Sequence, residues 1–232
     1  MSGMDDVRVL SLLAQQQDLL AWWQLEALGW SPRRIDYAVR KRSWQVIHTG
    51  VFAAQYRPLG REQRWIAATL TAPATLLVGP SAGACLGFRP WEGGFETVVR
   101  WGSGGPEMLD GLRVHRSLSV ADDVAWAGPI PLTSAERTLI DLAGSLSDFE
   151  LERAAREAVR MGLVTPVSLL DALCRHQGRR GTKRLRLWAE RYARPGALRG
   201  GRERRRCHAI GGQFGRSPLV SPARGAIGGE LR

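Results

Sequence analysis

Leu25-Glu26-Ala27-Leu28-Gly29-Trp30-Ser31-Pro32-Arg33-Arg34-Ile35-Asp36-Tyr37-Ala38-Val39-Arg40-Lys41-Arg42 decides how the N-terminal part of this chain is read. Gly29 stops one helix, because a residue without a Cβ takes the left-handed conformation that a helix end favours. Ser31 offers a side-chain oxygen to the free amides of the next helix, and Pro32 suits its first position. Two helices joined by a short glycine-containing turn are the pattern of a helix-turn-helix. At 100° per residue, Ile35, Ala38 and Val39 fall on one face of the second helix, and Arg33, Tyr37, Arg40 and Lys41 on the opposite one. An apolar stripe for docking and a cationic face with one aromatic are what a major-groove recognition helix needs.

Outward from this stretch, Val7 to Gln16 is expected as a first helix with Leu10, Leu13 and Ala14 inward. The start of the second helix lacks a good cap, since Ala21 and Trp22 are poor cap residues. Trp44 to Ile47 and Val51 to Ala53 are β-prone runs around His48-Thr49-Gly50 and read as a wing. Residues 1–58 are therefore expected to form a winged helix-turn-helix that binds double-stranded DNA. Its contact set is Ser31, Arg33, Arg34, Tyr37, Arg40, Lys41 and Arg42. Arg33 and Arg34, in the first turn, suit base edges, whereas Arg40 and Lys41 are better placed for phosphates.

Residues 59–192 read as a mixed α/β region that ends in helices, giving an α+β chain overall. Glu62 to Leu70 looks helical and Leu76 to Val78 is a short apolar run. Thr97 to Trp101 and Leu112 to Ser117 alternate and could pair as a hairpin across the loop Gly102 to Pro106. Thr133-x-x-Glu136 and Ser147-x-x-Glu150 fit the capping box, and Thr165-Pro166 opens another helix. Helices are thus expected over Phe149 to Met161, stopped by Gly162, over Pro166 to Cys174 and over Thr182 to Tyr192. Arg113, His115 and Arg116 lie on an alternating run that puts Arg113 and His115 on one face, a second basic surface or a plain solvent-facing strand.

The chain carries a net charge of +11, of which +7 lies in residues 193–232, where nine Arg stand against two acids. Nine Gly and three Pro accompany them without periodicity, so this basic tail is expected to be disordered. Its composition is also what a shifted reading frame of a GC-rich gene would give. Three cysteines, far apart, fit a reducing compartment rather than a disulfide framework. No leader pattern and no long apolar run is visible, and a cytoplasmic protein without a membrane partner is expected.

In several of these stretches the sequence resembles the actinobacterial AbiEi-type antitoxin family, winged-helix regulators that often continue into a very-short-patch-repair-like nuclease domain. The matching stretches are Gln24 to Gly29 with Ile35 to Arg40, Trp44-x-x-Ile47-His48-x-Gly50-Val51-Phe52, Gly111 to Ser117, and Pro131 to Ala143. The resemblance spans about Leu13 to Trp188. It implies a transcriptional regulator that represses its own operon and has a cognate toxin as partner. Where longer relatives carry the nuclease, this chain offers Arg202-Glu203-Arg204-Arg205-Arg206 and glycine-rich sequence. Two rivals follow: an inactive remnant of such an endonuclease, and an interaction module that neutralises a toxin by contact.

No catalytic residue is assigned. Gly79-Pro80-Ser81-Ala82-Gly83 matches the nucleophile elbow Gly-x-Ser-x-Gly, but no oxyanion glycine cluster precedes it, and Pro80 restricts the residue before it. Ser81 is expected instead as an N-cap. The four histidines and three cysteines lack zinc spacing, so neither a metal nor a cofactor is expected. Asp141 sits four residues after Arg137 and is expected to pair with it. The basic runs Arg175 to Arg180 and Lys183 to Arg186 are read as solvated helix faces, and most of the nine tryptophans as core or interface.

Overall fold

The computed structural model describes residues 3–193 apart from 106 and 110, and over them the chain is a mixed α+β protein. The basic tail lies outside the described residues, except that Ala193 ends the last helix.

The N-terminal part runs α1 (Gly3–Gln15), β1 (Leu19–Ala21), α2 (Trp22–Ala27), α3 (Pro32–Arg40), β2 (Gln45–His48) and β3 (Val51–Ala53). The strands make an antiparallel sheet in the order β1-β3-β2, with Leu20 opposite Phe52 and Val46 opposite Phe52 on the other side. β1 is too short and too uniformly apolar to show a period of two, and sequence pattern misses it. The start of α2 is capped from within: the Ala21 amide donates to Gln24 Oε1 at 3.0 Å, so a glutamine does what Ala21 cannot. Val9, Leu20, Leu25, Ile35, Trp44 and Phe52 form the core, with Leu12, Leu13 and Trp30 packed on it. Leu10 and Ala14 are exposed, contrary to the expected inward face. The helix is rotated so that Val9, Leu12 and Leu13, a 3–4 spacing one step off, face the sheet.

A second sheet has six strands in the order β6-β7-β5-β4-β9-β8: β4 (Leu76–Leu77), β5 (Glu96–Trp101), β6 (Glu107–Leu109), β7 (Leu112–Ser117), β8 (Val124–Ala127) and β9 (Ile130–Thr133). β5 and β7 do not form the expected hairpin. They pair in parallel, Thr97 against Arg113 and Val99 against His115. The reason is β6, which reverses the chain and makes the hairpin with β7 through Gly111 at φ +76°, so β7 offers its other edge to β5 in the same direction.

One face of this sheet, through Leu77, Val98, Leu112, Val114, Ile130 and Leu132, packs on α4 (Arg61–Leu70). Trp65, Ile66, Ala67 and Ala68 of α4 also pack against Leu19, Ala21, Val51 and Ala53, so both sheets share one apolar cluster. Trp23 donates its indole N–H to the Leu70 carbonyl at 3.0 Å across that seam.

The remaining helices are α5 (Gly79–Cys85), α6 (Ala135–Leu142), α7 (Asp148–Arg160), α8 (Pro166–Arg175) and α9 (Thr182–Ala193). Leu139, Leu142, Leu151, Ala155, Leu169, Leu173 and Leu185 make their core. Ser147 and Glu150 form the expected reciprocal cap, at 3.3 and 3.0 Å, and Thr165 caps α8. At α6 the cap is Ser134 rather than Thr133, which completes β9 and turns its hydroxyl to Thr138, at 2.8 Å. Gly181, at φ +81°, lets the chain enter α9 directly against the Ala143 carbonyl, where a Cβ would sit 1.8 Å from the oxygen.

Candidate nucleic-acid interface

α3 begins as its sequence dictates, with Ser31 Oγ accepting the Arg34 amide at 3.3 Å and Pro32 in the first turn. Gly29 ends α2 with φ +79°. Ile35 is buried, Ala38 and Val39 are half-buried, and Arg33, Tyr37, Arg40 and Lys41 are exposed. Ser31 and Arg42 are exposed at either end of the helix, Arg42 with a left-handed φ of +56°. Among the described residues, Arg33, Arg40 and Lys41 make no ion pair with an acid; Arg40 Nε donates to the Asp36 carbonyl at 3.4 Å. Lys41 Nζ lies over the Tyr37 ring at 5.7 Å.

Arg34 behaves differently. Its guanidinium lies 3.5 Å from the centroid of Trp30, which itself stacks on Trp44 at 5.1 Å. That stack holds Arg34 against the body of the module, so the first-turn arginine that projects freely is Arg33.

Arg113, His115 and Arg116 lie on β7 as the alternation implies, and they line a cleft of about 600 Å³. Arg116 pairs with Glu107 at 3.1 Å, and Arg113 lies over the Phe95 ring at 4.3 Å. Burial, and after it the Arg113 guanidinium, holds the His115 imidazole below its ordinary value, with Asp141 acting the other way.

Behind the cleft sits a charge network, of which the Arg137–Asp141 pair was expected. Arg137, 2% exposed, donates from Nε to Asp141 at 3.1 Å, from one terminal nitrogen to Asp123 at 2.5 Å, and to the Ser119 carbonyl at 3.0 Å. Asp123 also bonds His176 Nε2 at 3.1 Å and faces Arg175 at 3.5 Å, and Asp141 accepts from Arg179 at 2.9 Å. The expected solvated run is therefore partly structural: Arg175 and Arg179 pair with acids, His176 is buried, and Arg184 donates to the carbonyls of Ala143 and Leu146. Nothing local marks Asp123, fourteen residues before Arg137.

Ser81 is not an N-cap. It stands inside the first turn of α5, whose cap position is Val78. The Ser81 hydroxyl donates to Glu96 Oε2 at 2.8 Å and accepts the Thr97 amide at 2.9 Å. A hydroxyl whose proton is given to a buried carboxylate, and which no described histidine contacts, ties α5 to β5. Among the described residues no group of three or more His, Cys, Asp or Glu is placed to hold a metal ion, and no helix is long and apolar enough to cross a membrane. No protein-family model matches the sequence, and no curated protein matches it.

Proposed function

We propose that residues 3–53 are a winged helix that lays α3 in the major groove of double-stranded DNA, and that the protein is a sequence-specific transcriptional regulator. The observation that carries this reading is the division of α3, with Ile35 sealed into the core while Arg33, Arg40 and Lys41 stand exposed and, among the described residues, without acidic partners. The element order α1-β1-α2-α3-β2-β3, with the β1-β3-β2 sheet behind it, supports it. In this reading Arg33 reads a base edge, Tyr37 packs on the groove wall, and Arg40, Lys41 and Arg42 hold phosphates. Repression of the protein's own operon, a toxin as partner and a cytoplasmic site of action rest on the AbiEi-type resemblance of the stretches quoted above.

The test is recovery of genomic DNA fragments by the full chain and by a chain ending at Ala193. The expected result is one enriched sequence common to both, because nine tail arginines bind any duplex through counterion release and add affinity without sequence preference. Recovery of random fragments only, by both forms, overturns the reading.

A further inference from the structure

The cleft on the second sheet is a built feature that the DNA-binding reading leaves unused. Its floor comes from two parallel strands, β5 and β7, in the register Thr97–Arg113 and Val99–His115. One wall is the segment after α5, with Arg89, Trp91 and Phe95. The other wall is Arg137 and Asp141 of α6 with Arg179, just before α9. Its volume of about 600 Å³ is that of a small-ligand site rather than of a groove for a duplex.

The charges in this space are arranged unevenly. The acids that line it are already engaged, Glu92 by Arg89 at 2.7 Å and Asp141 by Arg137 and Arg179. Arg113 has no acidic partner among the described residues and is held over Phe95. Arg179 is kept below its ordinary value by burial and then by Arg137, with Asp141 and Asp123 opposing, so two cations stand together in this wall. Trp91 is fixed by its indole N–H donating to Glu96 Oε1 at 3.2 Å, and is a second aromatic in the lining of the cleft, on the same wall segment as Phe95.

We infer that this cleft binds a small phosphate monoester bearing a planar ring, a nucleoside monophosphate, with its phosphate held by Arg113, His115 and Arg179 and its ring laid against the Arg113–Phe95 stack. A phosphate dianion offers three acceptor oxygens to donors arriving from different elements, which a carboxylate cannot match. A guanidinium stacked on a ring presents its outer face to a nucleobase. His115 shares the lining of the cleft with Arg113 and Arg116 of its own strand, Arg89 and Glu92 of the segment after α5, Arg137 and Asp141 of α6, and Arg179 before α9, of which Arg113 and Asp141 act on its proton. An anion placed among them raises the affinity of the imidazole for its proton.

The experiment titrates the full chain with adenosine 5′-monophosphate, ribose 5-phosphate and adenosine, following heat and the His115 ring resonances. Expected are tightest binding for the nucleotide, weaker binding for the sugar phosphate, none for adenosine, and an upward move of the His115 titration on nucleotide binding. Arg113→Ala, a change at an exposed side chain, is expected to weaken nucleotide binding at least tenfold, with Arg113→Lys in between. Equal affinity in Arg113→Ala and the parent, as tail arginines alone would give, or an unmoved His115 titration, overturns the inference. So does equal loss of duplex binding and nucleotide binding in Arg113→Ala, which would make the cleft part of the DNA surface. Loss of duplex binding on changing α3, with nucleotide binding kept, leaves the inference standing on its own.

Discussion

The arginines of α3 and those around α6 are the same residue type put to opposite use. Arg33 is exposed and, among the described residues, has no acidic partner, whereas Arg137 is 2% exposed and spends its donors on Asp123, Asp141 and the Ser119 carbonyl. A cation fully engaged inside the fold fixes the fold. One left in water beside a docked apolar stripe is available to a polyanion. Charge counting treats the two alike, and only the placement of acids separates them.

Breaking the buried side has the largest expected effect. Arg137→Met leaves Asp123, 3% exposed, with His176 and the distant Arg175 as its remaining partners. Removing one partner of a buried ion pair costs about 3 to 5 kcal/mol, expected as a lower urea midpoint with an unchanged slope. DNA affinity measured where that variant is still folded should be unchanged; a loss there would join the two regions that the comparison separates.

On the exposed side, Arg33→Ala is expected to cost roughly 1 to 3 kcal/mol of binding to the preferred sequence and almost nothing in stability. Arg34→Ala sharpens the contrast, because its guanidinium lies on Trp30. It should lower stability by about 0.5 to 1 kcal/mol as well as weaken binding, which parallel unfolding and anisotropy titrations separate. Lys41→Ala should weaken every duplex alike and reduce the salt slope of log K by about one.

A more local effect is expected at the cap of α7. Ser147→Ala removes the acceptor for the Glu150 amide and should cost about 1 kcal/mol at neutral pH. The hydroxyl and backbone amide of Ser147 hold the Glu150 carboxyl below its usual value, so its contribution is complete above the unfolded value and is lost as pH falls through the lower folded one. The deficit of the variant should therefore shrink in acid, measured as the difference in urea midpoints at neutral pH and well below the usual glutamate range.

What the sequence carried was local. Gly29, Ser31, Pro32, the Ser147–Glu150 box, Gly162 and Thr165 each act within one turn, and each helix start or stop they marked is present. What it did not carry depends on partners distant in the chain. β1, β8 and β9 are three or four residues long, too short for a period, and exist because β3 pairs with β1, β4 with β9 and β9 in turn with β8. The parallel pairing of β5 with β7 follows from an intervening strand of three residues, and Asp123 is recognisable only once Arg137 and His176 converge on it. On the candidate interface, the exposed face of α3 was legible from the helical wheel, but the capture of Arg34 by Trp30 was not, since no pattern links a guanidinium to a tryptophan in the preceding turn.

The most direct measurement is fluorescence anisotropy of the recovered genomic sequence and of a scrambled duplex, with the parent chain and Arg33→Ala, both ending at Ala193 so that the tail arginines make no contribution. The expected result is a preference for the recovered sequence in the parent that falls roughly 5- to 150-fold in Arg33→Ala, the equivalent of the 1 to 3 kcal/mol given above, while affinity for the scrambled duplex changes little. Equal loss on both duplexes, or no preference in the parent, would contradict a base-reading α3.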